Sequence, residues 1–362
     1  MNSISGILCA VVMMSSVAAG NEIITCDVYP ATAENPRFSE GSIVVLDDDS
    51  ILYATTQFID SNSDFAKARI VAKKSVDGGR SWGEQRILQE NVGGLNVMSV
   101  SLLRFQSEGR SAIGMFYLIK NNFDDLKVYL RISTDEAKTF GEQILVTALD
   151  GYHVMNNDRV RQLSSGRLLC PVAWSKDVKT ENHFVSFCYF SDDHGKTWQV
   201  GSSRVDLPKR GSMEPEVLEL KDGRVLMIMR TQFPEIYASY SEDGGETWSE
   251  AEPWGVQAPE APATLRRVPV TGDLMLVWNP NYQAGTGHNG KRTPLVAAIS
   301  KDEGKTWGNP KVLEDRDDQT YAYTSLMFSE GRALMSYYVG DNESGWISSR
   351  FRSVPVDWFY EK

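Results

Sequence analysis

Aspartates recur at a nearly regular spacing in this chain, each inside an octapeptide of the form Ser-x-Asp-x-Gly-x-Thr/Ser-Trp, of which the second copy is a loose version with Ala137 and Phe140. The five copies begin at Ser75, Ser133, Ser191, Ser241 and Ser300. An aspartate can act as an acid, a base or a nucleophile. Flanked by Ser, Gly and Trp, however, it is typical of a turn in which the carboxylate accepts backbone N–H groups two or three residues on. We therefore predict that these aspartates stabilise turns and are not catalytic.

Metal-binding spacing is absent from the sequence. The four histidines are scattered and no Cys-x-x-Cys occurs, so we expect neither a metal nor an organic cofactor. The cysteines after residue 20 are Cys26, Cys170 and Cys188, an odd number that leaves at least one thiol unpaired. Cys170 and Cys188 fall on neighbouring predicted strands and could form a bridge, although we favour free thiols.

The octapeptides mark the repeats of a repetitive fold. Their first serines lie 58, 58, 50 and 59 residues apart, and a fixed period of this size indicates a repeat architecture. Each is preceded by a segment rich in Val, Ile, Tyr and Phe, which predicts a strand. These segments are Ala68–Lys74, Lys127–Ile132, Phe184–Phe190, Ile236–Tyr240 and Thr293–Ile299.

A final unit lacks the octapeptide but has strand-like runs from Tyr323 to Arg352, and Glu22–Tyr29 is the obvious donor of its fourth strand. We therefore predict an all-β, six-bladed β-propeller over residues 21–362, with blade six closed by the N-terminal strand.

The N-terminal segment and the net charge limit where the protein acts and on what. Residues 1–20 are almost purely apolar or small and carry no charge, which predicts a signal peptide and a secreted or periplasmic protein. The alternatives are an N-terminal anchor and a wrongly assigned start. The net charge of −11 argues against nucleic acid as a partner and requires a local basic cluster for any anionic ligand. We expect no membrane span and a monomer.

Repeated octapeptides of this kind resemble the Asp boxes of the sialidase (neuraminidase) superfamily, and the resemblance covers nearly all of residues 22–362. It implies an acid/base aspartate eleven residues before the first box, which is Asp64, with Asp60 as the alternative. It implies a tyrosine nucleophile opening a strand of blade six, which is Tyr323, with Tyr321 as the alternative. Glu214, in Met213-Glu-Pro-Glu216, takes the place of the glutamate that assists the tyrosine.

The resemblance also implies three arginines that bind a carboxylate. They are Arg37 before the first strand of blade one, Arg230 at the end of Leu226–Arg230, and Arg292 eight residues before Ser300. The family often has Tyr-Glu where this chain has Tyr337-Tyr338, so either another acid, such as Glu40, supports Arg37, or the pocket differs from that of the family. Asn96 and the segment Asn156-Asn-Asp158-Arg159 occupy corresponding loops, and Asn96 and Asp158 are candidate contacts for other groups of the sugar.

These residue types suit a sugar that carries a carboxylate on its anomeric carbon. Arginines bind carboxylates by charge-assisted, bidentate bonds. A neutral tyrosine avoids the repulsion that a carboxylate nucleophile would feel. The resemblance thus implies a secreted, retaining exo-α-sialidase acting on sialylated glycans. The alternatives are a glycoside hydrolase of the same fold that acts on a different sugar, and a non-catalytic carbohydrate-binding propeller.

Overall fold

The computed structural model describes residues 22–107 and 109–361, and the fold is all-β. The predicted signal peptide at 1–20 lies outside the described residues. Within the described part, 25 strands are joined by turns and loops, and the helical segments are two short 3-10 turns at Gly287–Asn289 and Val356–Phe359. No helix in that part is long and apolar enough to cross a bilayer.

The 25 described strands form four sheets of eight, nine, four and four strands. Their antiparallel pairings divide them into six units, which are numbered in chain order. Unit one holds β2 Arg37–Val45, β3 Ile51–Phe58, β4 Ala68–Ser75 and β5 Arg86–Gln89. Unit two holds β6 Asn96–Ser107, β7 Arg110–Lys120, β8 Asp125–Ser133 and β9 Ile144–Leu145. Unit three holds β10 Gly151–Val154, β11 Arg161–Gln162, β12 Leu168–Ser175, β13 Val185–Ser191 and β14 Gln199–Val200.

The remaining units repeat the same order, and the last one includes the first strand. Unit four holds β15 Met213–Glu219, β16 Val225–Arg230, β17 Glu235–Ser241 and β18 Glu252–Gln257. Unit five holds β19 Thr264–Arg267, β20 Leu274–Trp278, β21 Leu295–Ser300 and β22 Lys311–Glu314. Unit six holds β23 Gln319–Ser329, β24 Arg332–Asp341 and β25 Ile347–Pro355, with β1 Ile24–Tyr29 antiparallel to β25.

Neighbouring units share a core. Leu52 and Ala72 of unit one pack in the same buried cluster as Val97 and Met115 of unit two. Because each strand alternates its side chains between two faces, one face packs on the preceding unit and the other on the next. The first strands of the units therefore converge, and their ends surround the cavity described below.

The octapeptide turns join the last two strands of each of units one to five. In the first copy, Ser75 Oγ donates to Asp77 Oδ1 at 2.8 Å and accepts the Gly79 N–H at 2.9 Å, while Ser81 N donates to Asp77 Oδ1 at 2.9 Å. The carboxylate thus reaches an N–H four residues on, which is further than the sequence predicts. Gly79 has a φ of 94°, in the left-handed region that glycine adopts readily. A Cβ added at this position would lie 2.0 Å from a carbon of the Phe351 ring.

The cysteines are free in the structure. Cys170 and Cys188 are buried, and Cys26 is partly exposed. Cys170 lies opposite Tyr189 in the ladder, whereas Cys188 lies opposite Pro171. The two thiols therefore point to opposite faces of the sheet and belong to different core clusters, which explains why they form no bridge despite their neighbouring strands.

Candidate active site

A cavity of about 530 Å³ is lined by the first strands of units one to four and six, and by the segment between β20 and β21 of unit five. Six of the residues predicted from the sequence line it, and every unit except the second and third contributes at least one. They are Arg37, Asp64, Glu214, Arg230, Arg292 and Tyr323. Residues separated by up to 286 positions in the sequence are thus brought to one site.

Four first strands carry the same backbone irregularity at the cavity. In β2, β6, β15 and β23 the register shifts by one residue relative to the second strand. Each shift contains a residue with a positive φ, namely Glu40 at 58°, Ser99 at 55°, Glu214 at 44° and Tyr323 at 58°. A β-bulge turns a side chain out of the alternating pattern, and here all four of these residues line the cavity. The left-handed conformation is strained for residues other than glycine and is concentrated at functional sites.

Tyr323 and Glu214 form the central pair. The phenol of Tyr323 donates a hydrogen bond to Glu214 Oε1 at 3.1 Å, and Arg230 Nη1 lies 2.7 Å from Glu214 Oε2. Burial opposes the charge of Glu214, but Arg230 and Arg292 outweigh it and hold the pKa of the carboxyl below its ordinary value. Burial and the charge of Glu214 raise the pKa of Tyr323. At neutral pH the pair is therefore a neutral phenol facing an ionised carboxylate.

Arg37 is held by two carboxylates. Its Nη2 lies 2.7 Å from Glu40 Oε1 and its Nη1 lies 2.6 Å from Asp64 Oδ1. Ser99 donates to the other oxygen of Glu40. The acid that supports Arg37 is thus Glu40, as the sequence indicates. Desolvation disfavours the charged form of Asp64, but Arg37 more than offsets it and lowers the pKa of the carboxyl.

Arg292 contacts Tyr323 and Tyr338 of unit six. Its Nη1 donates to the Tyr338 phenol at 3.0 Å, and its guanidinium carbon lies 5.6 Å from the centre of the Tyr323 ring. The rings of Tyr323 and Tyr338 are 5.6 Å apart. Tyr338, which stands where the resemblance leads one to expect a glutamate, therefore supports Arg292 rather than Arg37.

Comparison with models of protein families identifies the family to which the chain belongs. The model described as "BNR repeat-like domain" matches residues 104–335, more than half of the chain. The chain belongs to this family. Curated relatives of this BNR repeat-like chain are named sialidases, which places it in the sialidase/BNR-repeat superfamily.

Three of these relatives show how far the likeness extends. The sialidase of Clostridium perfringens is 33% identical over 92 residues, which is 25% of this chain and 23% of the relative. The sialidase of Bacteroides fragilis is 24% identical over 64% of this chain and 42% of its own length. The sialidase of Micromonospora viridifaciens is 25% identical over 68% of this chain and 41% of its own length. The chain thus spans less than half the length of each of the three.

Solved structures share the fold. A protein of unknown function from Dyadobacter fermentans superposes with a TM-score of 0.73 at 18% identity, over 93% of this chain and all of that one. The Hadza microbial sialidase Hz136 gives 0.73 at 18% identity over 90% of this chain and 67% of that one. Trypanosoma rangeli sialidase with 2,3-difluorosialic acid gives 0.71 at 15% identity, over 93% and 59%.

Two predicted sugar contacts of this BNR repeat-like chain do not face the cavity. Asp158 is buried, with its Oδ2 2.6 Å from Arg266 Nη2 and 3.0 Å from the Leu326 N–H. It belongs to an ion network beneath the cavity. Asn96 is buried too, and its Nδ2 donates to the carbonyl oxygens of Asp64 and Ala66 at 2.9 and 2.8 Å. The residue of the Asn156–Arg159 segment that lines the cavity is Asn156.

Sequence reasoning missed Glu260, which connects the arginines on one side of the cavity. Its Oε1 lies 3.4 Å from Arg230 Nη2 and also accepts from Arg210, and its main-chain oxygen accepts from Arg292 Nη2 at 3.3 Å. Arg210 itself lines the cavity. The one available signal for Arg210 is its position four residues before Glu214, and no local pattern distinguishes Glu260.

The cavity holds ion pairs rather than a metal-ligand set. Among residues 22–107 and 109–361, no group of three His, Cys, Asp or Glu side chains is arranged to hold a metal ion. Its carboxylates are instead engaged by guanidinium groups. Chemically, the arrangement can bind an anionic group with its arginines, transfer a proton from a phenol to a carboxylate, and exchange a proton at Asp64.

Proposed function

We propose that this BNR repeat-like protein is an exo-α-sialidase, a glycoside hydrolase that releases terminal sialic acid from glycoconjugates. The observation that carries the proposal is the 3.1 Å hydrogen bond from Tyr323 to Glu214 in a cavity that also holds Arg37, Arg230 and Arg292. Relatives named sialidases support the same substrate class.

The three arginines bind the carboxylate of the sugar. They come from units one, four and five, and they converge in a protein whose net charge is −11. Guanidinium groups in a partly desolvated cavity bind a carboxylate by charge-assisted hydrogen bonds. This fixes the anomeric carbon, to which the carboxylate is attached, beside the Tyr323–Glu214 pair, so that positioning lowers part of the barrier.

Tyr323 is the nucleophile and Glu214 its base. As the phenol oxygen bonds to the anomeric carbon, its proton passes to Glu214 Oε1, and the glycosidic C–O bond breaks. Asp64 protonates the departing oxygen and then takes a proton from the water that cleaves the tyrosyl–sugar bond, while Glu214 returns its proton to the phenol oxygen. Two displacements at one carbon retain its configuration.

The surrounding architecture belongs to the same proposal. We infer a six-bladed propeller whose sixth blade is completed by β1, on the strength of the β1–β25 pairing and the six repeated antiparallel units. The protein acts as a monomer on sialylated glycans, and residues 1–20 direct it to secretion or to the periplasm.

A fluorogenic α-sialoside assay tests the activity. The wild-type protein should release the fluorophore, and Tyr323→Phe should not, whereas Tyr321→Phe should retain the activity because Tyr321 is buried in the core of units five and six. With 2,3-difluorosialic acid, fluoride leaves from the anomeric carbon, and a peptide containing Tyr323 should gain the mass of the reagent less that of HF. Hydrolysis of a different glycoside but not of sialosides would favour another glycoside hydrolase, and sugar binding without turnover would favour a binding propeller.

A further inference from the structure

The main-chain carbonyl of Asp64 accepts two hydrogen bonds from buried side chains of unit two. Lys120 Nζ donates to it at 2.7 Å and Asn96 Nδ2 at 2.9 Å. Asn96 and Lys120 lie directly opposite each other on β6 and β7. This cross-strand pair of unit two therefore donates both hydrogen bonds to the loop of unit one that carries Asp64.

Lys120 also contacts the residue that follows Asp64. Its ammonium lies 4.7 Å from the centre of the Phe65 ring and 5.6 Å from that of Tyr152, distances at which a cation is attracted to an aromatic face. Phe65 in turn packs on Phe123 with 4.5 Å between ring centres. Lys120 thus fixes both the backbone of Asp64 and the side chain of Phe65.

The burial of Lys120 is costly. The residue is 1% exposed, and desolvation lowers the pKa of its ammonium to about 8. The charged groups facing it are Asp64, Glu40 and Arg37. A buried cation bonded to a carbonyl oxygen, and not to a carboxylate, destabilises the fold relative to an apolar side chain of the same volume. Its position on the cavity wall points to a role in the reaction.

Asp64 needs such support because of where it sits. It lies in the loop between β3 and β4, and its side chain is 59% exposed. A general acid must come within hydrogen-bond reach of the departing oxygen, and a displacement of about 1 Å is enough to slow a reaction markedly. Arg37 holds one carboxylate oxygen of Asp64 directly, whereas Lys120 and Asn96 hold the backbone from which that carboxyl extends.

We propose that Lys120 is a positioning residue for Asp64, acting with Asn96 through the Asp64 carbonyl so that the carboxyl is aimed at the leaving group. The inference rests on the proposed function, in which Asp64 is the acid. The role of Lys120 thus differs from that of the arginines, because the arginines bind the substrate whereas Lys120 affects proton transfer by Asp64.

A positioning role for Lys120 predicts that the loss of kcat in a variant depends on the leaving group of the substrate, whereas a purely structural role predicts the same loss for every substrate. A phenolic leaving group such as 4-methylumbelliferone departs with little protonation, whereas the galactose hydroxyl of sialyllactose requires the acid. Lys120→Met keeps the volume and removes the donor. We expect kcat on sialyllactose to fall by about 10- to 100-fold, as for a misplaced general acid, and kcat on the aryl sialoside to fall by less than about 3-fold.

Three further variants complete the experiment. Asp64→Asn should show the same split with a larger loss. Asn96→Leu, which removes the second donor to the carbonyl, should show the split and provides the test if Lys120→Met does not fold. Lys127→Met is the matched control, because Lys127 donates to the Leu149 carbonyl away from the cavity, and it should leave both substrates unaffected.

The outcomes that overturn the inference are separable from failure of the proposed function. Equal losses of kcat on both substrates, or a rise in KM alone, would assign Lys120 to folding or to substrate binding and would overturn the inference while leaving the sialidase proposal intact. Absence of release from both substrates by the folded wild-type protein would overturn the proposed function, and the inference with it.

Discussion

Arg37 Nη1 lies 2.6 Å from Asp64 Oδ1, so that a proposed carboxylate-binding residue and the proposed acid form an ion pair in the free protein. The same guanidinium donates to Ser39, Glu40 and the Asn62 carbonyl. Of its five N–H groups, four are thus engaged before a substrate arrives. A bidentate carboxylate must therefore compete with Asp64 for Arg37.

The first prediction is that ligand binding raises the pKa of Asp64. A sugar carboxylate on Arg37 removes the contact that stabilises the Asp64 anion and adds a negative charge nearby, and both changes favour the protonated acid. Carboxyl NMR titration of Asp64, with and without a non-hydrolysable α-sialoside, measures the shift. An unchanged pKa in the complex would show that Arg37 keeps its contact with Asp64 when substrate is bound.

The second prediction concerns Glu260. Glu260→Gln removes the charge that faces Arg230 and Arg210, so these arginines repel each other and lose their orientation. Because a tenfold change in affinity corresponds to only about 1.4 kcal/mol, we expect KM to rise about tenfold or more while kcat changes less. Glu303→Gln is the control, since Glu303 pairs with Arg267 on another face. Similar KM values for both variants would contradict the assignment.

The third prediction is that Glu216 stabilises the fold without taking part in the reaction. It is two residues from Glu214 but points beneath the cavity, where its carboxylate meets Arg159 and lies 2.9 Å from Arg266 Nη1. Glu216→Gln leaves buried arginines without their partner and should lower the free energy of unfolding by about 3–5 kcal/mol. Urea denaturation measures this, and Glu219→Gln, at a more exposed site, should change it little.

The fourth prediction is a loss of stability in acid that depends on the octapeptide turns. Hydrogen bonds from Ser or Thr side chains and backbone N–H groups hold the pKa of Asp77, Asp135 and Asp302 at about 2. Because these values lie below the unfolded pKa of about 3.9, the turns contribute their full stability above that pH and lose it as the pH falls towards 2.

Thermal denaturation between pH 5 and pH 2 tests this. The Tm of the wild-type protein should fall across the window, and replacement of the three aspartates by asparagine should flatten the fall while lowering the Tm at pH 5. Parallel curves for the two proteins would show that other carboxylates control unfolding in acid.

Much of the site could be predicted because the octapeptides act as markers of position. Counting back from Ser75 and Ser300 identifies Asp64 and Arg292, and both line the cavity. The preference for Glu214 over Glu216, and for Tyr323 over Tyr321, also agrees with the cavity lining. These residues could be found because each has a fixed place relative to a strand that the sequence reveals.

The rest depends on contacts between units, which leave no local pattern. Lys120 ends a run of apolar residues and Asn96 begins a strand, and only the packing of unit two on unit one makes them partners of Asp64. Asp158 does not line the cavity in the structure, because its buried carboxylate pairs with Arg266 and accepts the Leu326 N–H. Its left-handed φ of 57° cannot be read from an aspartate in a loop.

The four bulges separate the shape of the site from its chemistry. The same backbone turn presents a glutamate, a serine, a second glutamate and a tyrosine, so its geometry is independent of the side chain it carries. Reactivity on such a scaffold can be rewritten by exchanging residues at Glu40, Ser99, Glu214 and Tyr323 while every loop keeps its length. For protein engineering, these are four positions around one binding site that share a backbone conformation and differ in the side chain that they present.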